Sequence, residues 1–345
     1  MRSADTLRVQ VALNGDQISG LLRASIMTTN HFSADTFALT FALDNRSPEN
    51  ISFWSNLSSG LVEVMAITLS ESGPTYQSLI TGMIDSLQVD PVQGTIGLEG
   101  RDLSSSMIDS YRQQDFVNQT ASEIVEAIAQ YHNLGPVVTS TSGNVGRYYS
   151  DGYTKLSLGQ FSRVQSDWDL VVQLARLNDF DVFVEGQSLY FQPSGQINGV
   201  NLTVSLRNVE SARIERSLSV SPDTIASVQS WNSQNMASYN STAAGSGTDT
   251  ADQSASAGSV PFLFSGSNYT SQQVADAADR YTAELVRLRT VLHLGMPWDL
   301  SFMPRATCLL QDTASMFDTV YRIEGVERQY CSTSGSKQSV QAVQI

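Results

Sequence analysis

The chain has 345 residues, of which 41% are hydrophobic and only 16% charged, with a formal net charge of −14. That length allows two or three domains with apolar cores of their own. The acidic balance, with no basic run, argues against a protein that grips nucleic acid by neutralising phosphates, although a wall of like charge can surround DNA without holding it. The opening residues Met1 to Gln10 lack the apolar stretch of a secretion signal. The longest apolar run, Leu61 to Leu69, carries Glu63 and is too short to span a bilayer, so no membrane segment and assembly in the cytoplasm are expected.

The first hundred residues have the period of two that places alternate side chains on opposite faces of a strand. Leu7, Val9, Val11 and Leu13 alternate up to Asn14-Gly15, a hairpin signal because both residue types tolerate positive φ. Phe37, Leu39, Phe41 and Leu43 alternate again, Val62 and Val64 begin a further run, and strands over 79–89 and 95–98 flank a turn at Pro91 and Gly94. Short strands at near-regular spacing predict a sandwich or barrel. Near residue 104 the pattern changes. Thr120 and Glu123 form a capping box ahead of the helical face Ala121, Ile124, Val125, Ile128 and Ala129, and His132 to Pro136 end that helix. A loop rich in Gly, Ser and Tyr is expected next. Ser166 to Asp169 then cap a second, largely buried helix with Trp168, Val171, Val172, Leu174 and Ala175. A hairpin follows, 180–184 with 188–191.

Strands resume from about 200 with Leu202, Val204 and Leu206, then Ile214, Ile225 and Val228. Residues 240–260 have too little apolar content to fold alone and are expected to form a mobile loop. Thr270 and Gln273 cap a third helix, expected over 271–289, whose stripe is Val274, Ala278, Tyr281, Leu285 and Leu288. The chain returns to strands through Val320 to Ile323 and Val340 to Val343. The segment Leu79 to Asp85 is faintly echoed by Tyr321 to Glu327, which suggests two related β units. The expected class is mainly β with an α/β insertion: a first β-barrel over 1–105, an α/β module over 106–196 and a second β-barrel over 197–345.

The order of these segments resembles the phage late control D family, the hub proteins of contractile tail baseplates and the hub part of type VI secretion spike proteins. The likeness is carried by Val11 to Gly15, Asp35 to Leu39, Ile80 to Asp85, Gly97 to Leu103, Phe116 to Asn118 with the helix after it, Ser166 to Ala175, Leu189 to Pro193 and Val320 to Val326. It implies two similar tube-type β-barrels and a homotrimer forming a ring. The expected partners are a tail tube or tube-initiator protein, a separate spike protein and baseplate wedge proteins. DNA would pass through the lumen without specific binding, and the chain would reside in the virion tail. The chain stops at Ile345 without the needle of the secretion spikes, which favours the phage type.

Little in the sequence points to chemistry. His31, His132 and His293 have no metal-ligand spacing, and Cys308 and Cys331 fit no metal motif, so two reduced thiols are expected and no metal or cofactor. Asp167 with Asp169, Asp179 with Asp181 and Glu324 with Glu327 are close acidic pairs that could serve glycoside hydrolysis if they converged in a cleft. Helix-dipole and turn roles explain them more simply. Gly245-Ser-Gly247 is linker rather than a phosphate loop, and no nucleophile elbow is present. Trp54, Trp168, Trp231 and Trp298 are expected in cores rather than as a sugar-stacking platform. The alternative function is a tail-tip protein that binds or cleaves glycans, or a hub from a non-phage injection system.

Overall fold

The structure, a computed structural model, describes residues 6–30, 32–44, 49–70, 73–150, 153–158, 166–195, 201–217, 225–233, 235–244, 262–267, 269–287 and 290–345. The first region comprises β1 (Thr6–Leu13), β2 (Asp16–Ile18), β3 (Leu21–Thr29), β4 (Thr36–Ala42), a short α1 (Ile51–Ser55), β5 (Leu61–Ser70), β6 (Gly73–Asp90) and β7 (Thr95–Asp102). The alternating residues share one face. Val11, Leu13, Ile26, Phe37, Leu39, Phe41, Val62, Val64, Ile96 and Leu98 form one core with Trp54 of α1. Asn14 and Gly15 take φ of 53° and 92°, which lets β1 turn into β2 within two residues. β6 and β7 approach closely where both strands carry glycine. A Cβ on Gly100 would stand 2.1 Å from the Met83 carbonyl and 2.4 Å from the Phe37 ring, and one on Gly82 would stand 2.1 Å from the Arg101 carbonyl.

The α/β module holds α2 (Ser105–Ile108), β8 (Gln114–Val117), α3 (Ala121–Tyr131), β9 (Gly135–Val138), β10 (Arg147–Ser150), β11 (Tyr153–Leu158), α4 (Asp167–Asn178), β12 (Phe180–Glu185) and β13 (Ser188–Pro193). Both capping boxes form: Thr120 with Glu123 opens α3, and Ser166 with Asp169 opens α4. The apolar stripes of the two helices pack with β12 and β13 into one core. The stretch expected as a Gly-, Ser- and Tyr-rich loop contains three strands instead. β9 adds in parallel to β13, and β10 and β11 join β8. These strands are four to six residues long, and their backbone partners, not their own side-chain pattern, hold them.

The last region comprises β14 (Asn201–Ser205), β15 (Ser211–Arg216), β16 (Ile225–Asn232), β17 (Ala237–Ala244), β18 (Phe262–Ser267), α5 (Ser271–Arg287), β19 (Thr290–Pro297), β20 (Thr307–Gln311), β21 (Val320–Cys331) and β22 (Gly335–Gln344). One expectation is corrected here. Residues 240–244 are not loop. They belong to β17, which pairs with β16 and turns Tyr239 and Ala243 towards Val274, Ala277 and Ala278 of α5. The rest of 240–260 lies outside the described residues, as do Leu288 and Gly245 to Gly247. Helix α5 covers a separate sheet of order β17-β16-β18.

The other strands of the first and last regions form a single 13-stranded sheet in the order β15-β19-β22-β21-β3-β4-β7-β6-β5-β1-β2, with β20 and β14 branching from β21. Its halves match. One runs β3-β4-β7-β6-β5-β1 and the other β15-β19-β22-β21-β20-β14, the same order by rank in the chain. They also share a bulge, an extra residue in one strand: Asp85 in β6 and Glu324 in β21, each preceded by an isoleucine and each at the same point of the pairing with β7 or β22. From that bulge the registers map Gly100 onto Ala342, Phe37 onto Leu292 and Ile26 onto Ile214. Even a strand-end contact repeats. Ile84 N–H donates to the Gly60 carbonyl at 3.1 Å, and Ile323 N–H to the Ala306 carbonyl at 2.8 Å. One pairing differs: β1 runs antiparallel to β5, whereas β14 runs parallel to β20. Strand pairs among the described residues close neither half into a barrel. The halves join edge to edge, where residues 325–331 of β21 pair antiparallel with residues 23–29 of β3.

Candidate functional site

Among the described residues, the seam between the halves is the most heavily charged part of the interior. Bulging at Glu324 lets β21 leave β20 and take β3 as its new neighbour. The Asn30 N–H donates to the Glu324 carbonyl at 2.8 Å, and the Thr28 hydroxyl donates to the Val326 carbonyl at 3.2 Å, so the seam is fastened beyond its ladder. The α/β module is tied to the same place. Trp168 Nε1 donates to the Phe32 carbonyl at 2.8 Å, which pins α4 to the β3–β4 connection.

Three arginines of the second half meet four carboxylates of the other two regions here. Arg322 Nη2 donates to Asp181 Oδ2 at 2.7 Å, with side chains only 10% and 9% exposed. Arg305 lays its guanidinium 3.5 Å over the Phe183 ring. Burial lowers its pKa, against the pull of Asp35, Asp181 and Glu185. Arg328 is buried and donates to the Phe302 carbonyl. Burial brings it down to about 10, with Asp299 and Asp35 opposing. Burial, and then the neighbouring Asp102, push Asp35 up to about 7 against the 2.8 Å hydrogen bond from Thr29 N–H. Asp102 is pushed up to about 6 by burial, against the hydroxyl and N–H of Ser104. Such a network orders three regions relative to one another. Breaking one member leaves its partner charged and buried, which is costly.

The residues singled out from the sequence scatter. His132 and Asp167 meet in a second buried cluster: Asp167 Oδ2 receives His132 Nε2 at 2.8 Å, Arg112 Nε at 2.8 Å and the Ser110 hydroxyl at 3.1 Å. Burial would raise the Asp167 pKa, but the bonds from His132 and Arg112 outweigh it and hold it below the usual range. Asp169 instead accepts the Ser166 N–H in the capping box, so this pair does not converge. Asp179 caps α4 in a left-handed conformation while Asp181 binds Arg322. Glu324 is buried in the bulge, and Glu327 accepts from Gln329 at 2.6 Å. Each acidic pair is divided between separate structural tasks. His293 stands 4.0 Å from Glu215, and His31 lies outside the described residues.

Cys308 is buried, which pushes its thiol up to about 12. Cys331 is half-exposed at the β21–β22 turn, where hydrogen bonds with Ser334 and Thr333 bring its thiol down to about 6. Among the described residues no His, Cys, Asp or Glu cluster could hold a metal, and no helix is long and apolar enough to cross a membrane. Trp54 and Trp168 are buried and Trp298 is half-buried, but Trp231 is 59% exposed and corrects the expectation of a core role. It lies on the face of the small sheet opposite α5. The Arg322–Asp181 pair was not legible from the sequence, because its partners are 141 residues apart and no local spacing links the acidic pair at Asp179 and Asp181 to the Val320 to Val326 segment.

No family model matches the chain, and no curated protein matches it by sequence. Solved structures do match. A tail protein from Neisseria meningitidis MC58 superposes with a TM-score of 0.74 at 15% identity, covering 98% of this chain and 96% of that one. The 43 kDa tail protein of prophage MuSo2 from Shewanella oneidensis gives 0.72 at 13% identity, with 98% of both chains covered. The fold is that of phage tail proteins. A component of the E. coli type VI secretion system, described as similar to T4 bacteriophage tail proteins gp27 and gp5, shares this phage-tail fold with a TM-score of 0.58 at 13% identity, over 99% of this chain and 77% of that one.

Proposed function

We propose that the chain is a structural hub of a contractile phage-tail baseplate, acting through geometry and association rather than catalysis. Three copies form a ring that joins the tail tube to a separate spike protein, is held by baseplate wedge proteins, and lets DNA through after contraction. For this task the chain divides into a tube-type β unit over 1–105, a module over 106–196 and a second tube-type unit over 197–345. Each tube unit is a curled sheet whose barrel is completed only in the ring, and the second carries the β16–β18 sheet and α5 as an outgrowth. The observation that carries this reading is the doubled strand order within one sheet. Two like units per chain give six from three chains, which suits a six-fold tube above and a three-fold spike below. The superposition with tail proteins along nearly the whole chain supports it.

The buried arginine–carboxylate junction has a place in this account. It sets the angle between the units, and that angle decides whether a ring closes. The wall facing the axis is neutral to acidic, so DNA slides rather than sticks. Native mass spectrometry of the purified chain tests the reading: a particle of three chains is expected, and a monomer at micromolar concentration contradicts it. A hub of a non-phage injection system is the second reading, favoured by the match to the type VI component. Labelling the chain in purified particles separates the two. A glycan-cleaving role has less support, since each acidic pair is divided between separate tasks.

A further inference from the structure

The seam inside the chain is a template for a seam between chains. In the second half, β21 pairs with β20 up to Arg322 and then offers the same edge, from Gly325 onward, to β3. In the first half, β6 pairs with β5 up to Met83. From Ser86 to Asp90, that edge has no strand partner among the described residues, although β7 holds the other edge. The counterpart of β3 is β15, and β15 is the end strand of the large sheet. One half therefore presents the receiving edge and the other presents the strand that would fill it. Within one chain these two lie at different places in the sheet.

We infer that residues 86–90 of β6 receive β15 of a second copy of this chain, antiparallel, in the register that β21 and β3 already use. This rests on the hub reading and specifies the surface through which it works. Carrying the internal pairs Gln329–Ser25, Arg328–Ile26 and Glu327–Met27 across by the shared bulge sets Asp90 opposite Arg213, Val89 opposite Ile214 and Gln88 opposite Glu215. The side chains suit the register. Val89 and Ile214 are both half-buried in the single chain and would complete an apolar pair on the inner face. Asp90 would face Arg213, whose side chain is 77% exposed, so opposite charges meet across the strands. Adding a strand to an open edge is an established mode of association. Here it also covers edges that would otherwise invite aggregation. Because the contact is heterologous, its repetition generates a closed ring when the rotation divides the circle.

The test places one cysteine on each edge of the same chain, Gln88→Cys with Glu215→Cys, in a Cys331→Ser background, and treats the protein with a short bis-maleimide. Both positions are exposed in the single chain, and an unchanged melting curve by circular dichroism establishes that the variant folds. The expected result is a covalent ladder with rungs at two and three chains, ending at three, and no ladder from either single-cysteine variant. A native mass of three chains with no cross-link would overturn the seam and leave the hub reading intact. A monomeric mass would overturn both. A ladder extending past three chains would support the seam and contradict closure at three copies.

Discussion

The two halves of the large sheet share a strand order and a bulge, yet they treat the same edge differently. In the second half the edge after the bulge is filled by β3 of the same chain, and the side chains beside it are buried and polar: the charged Arg322, Glu324 and Arg328, and the neutral Gln338. The positions equivalent by register in the first half are Met83, Asp85, Val89 and Ile96. Asp85 is exposed and pairs with the partly exposed Arg101 at 2.7 Å, where Glu324 is 1% exposed. A common backbone plan therefore does not dictate common chemistry. Where the chain completes its own seam, polar residues are drawn inward to align three regions. Where the edge is left open, the equivalent positions beside it are apolar, as at Met83, Val89 and Ile96, or keep their charge in water, as at Asp85. The contrast is physical, because breaking a buried ion pair strands the remaining charge at a large cost, whereas breaking an exposed pair costs little.

The two halves should differ most at Arg322. Arg322→Ala leaves Asp181 buried without its cation and is expected to cost about 3–5 kcal/mol in urea unfolding. Met83→Ala at the equivalent position is expected to cost about 1 kcal/mol, and equal losses would remove the asymmetry. Next is the close crossing of β6 and β7. Gly100→Ala must push a Cβ against the Met83 carbonyl and the Phe37 ring, at an expected cost of about 1–3 kcal/mol. The reciprocal Ala342→Gly should lose only about 0.5–1 kcal/mol through backbone freedom.

A smaller effect concerns pH. Asp35 and Asp102 are raised to about 7 and about 6, so the native state holds their protons more tightly than the unfolded chain does. The stability they contribute is fully present below about pH 4 and is lost as pH rises through about 6 and then about 7. Asp35→Asn keeps an oxygen for the Thr29 N–H and should flatten the decline in melting temperature between pH 5 and 8, an effect on the order of 1–2 kcal/mol. Parallel profiles for the two proteins would show that Asp35 is not the group responsible. The second half has Thr290 and Gln344 at these positions, so it contributes no such slope. Smallest of all, Arg101→Ala removes a partly exposed arginine bridging Asp85 and Asp109 and should cost under about 1 kcal/mol.

Local signals in the sequence proved readable where one physical rule acts alone. The capping boxes at Thr120 and Ser166, the Asn14-Gly15 turn and the alternation through Phe37, Leu39 and Phe41 each declare an element. Readability failed where partners lie far apart or where pattern and composition conflict. Residues Ala237, Tyr239, Ser241 and Ala243 alternate correctly for β17, but three of the four are too small or polar to stand out, so the stretch from 240 read as loop. The internal echo was visible but misplaced. Comparing Leu79 to Asp85 with Tyr321 to Glu327 shifts the halves by three residues, whereas the bulge aligns Asp85 with Glu324. The seam pairs residues nearly three hundred positions apart, and no local pattern encodes it.

The most direct test is a cryo-electron microscopy map of the purified chain or of the tail that holds it, resolved well enough to trace strands. Three copies around one axis are expected, with a β wall in which the β21–β3 seam within chains alternates with a β6–β15 seam between them. A map in which the copies meet only through their α/β modules, with β6 and β15 both open to solvent, would contradict this arrangement.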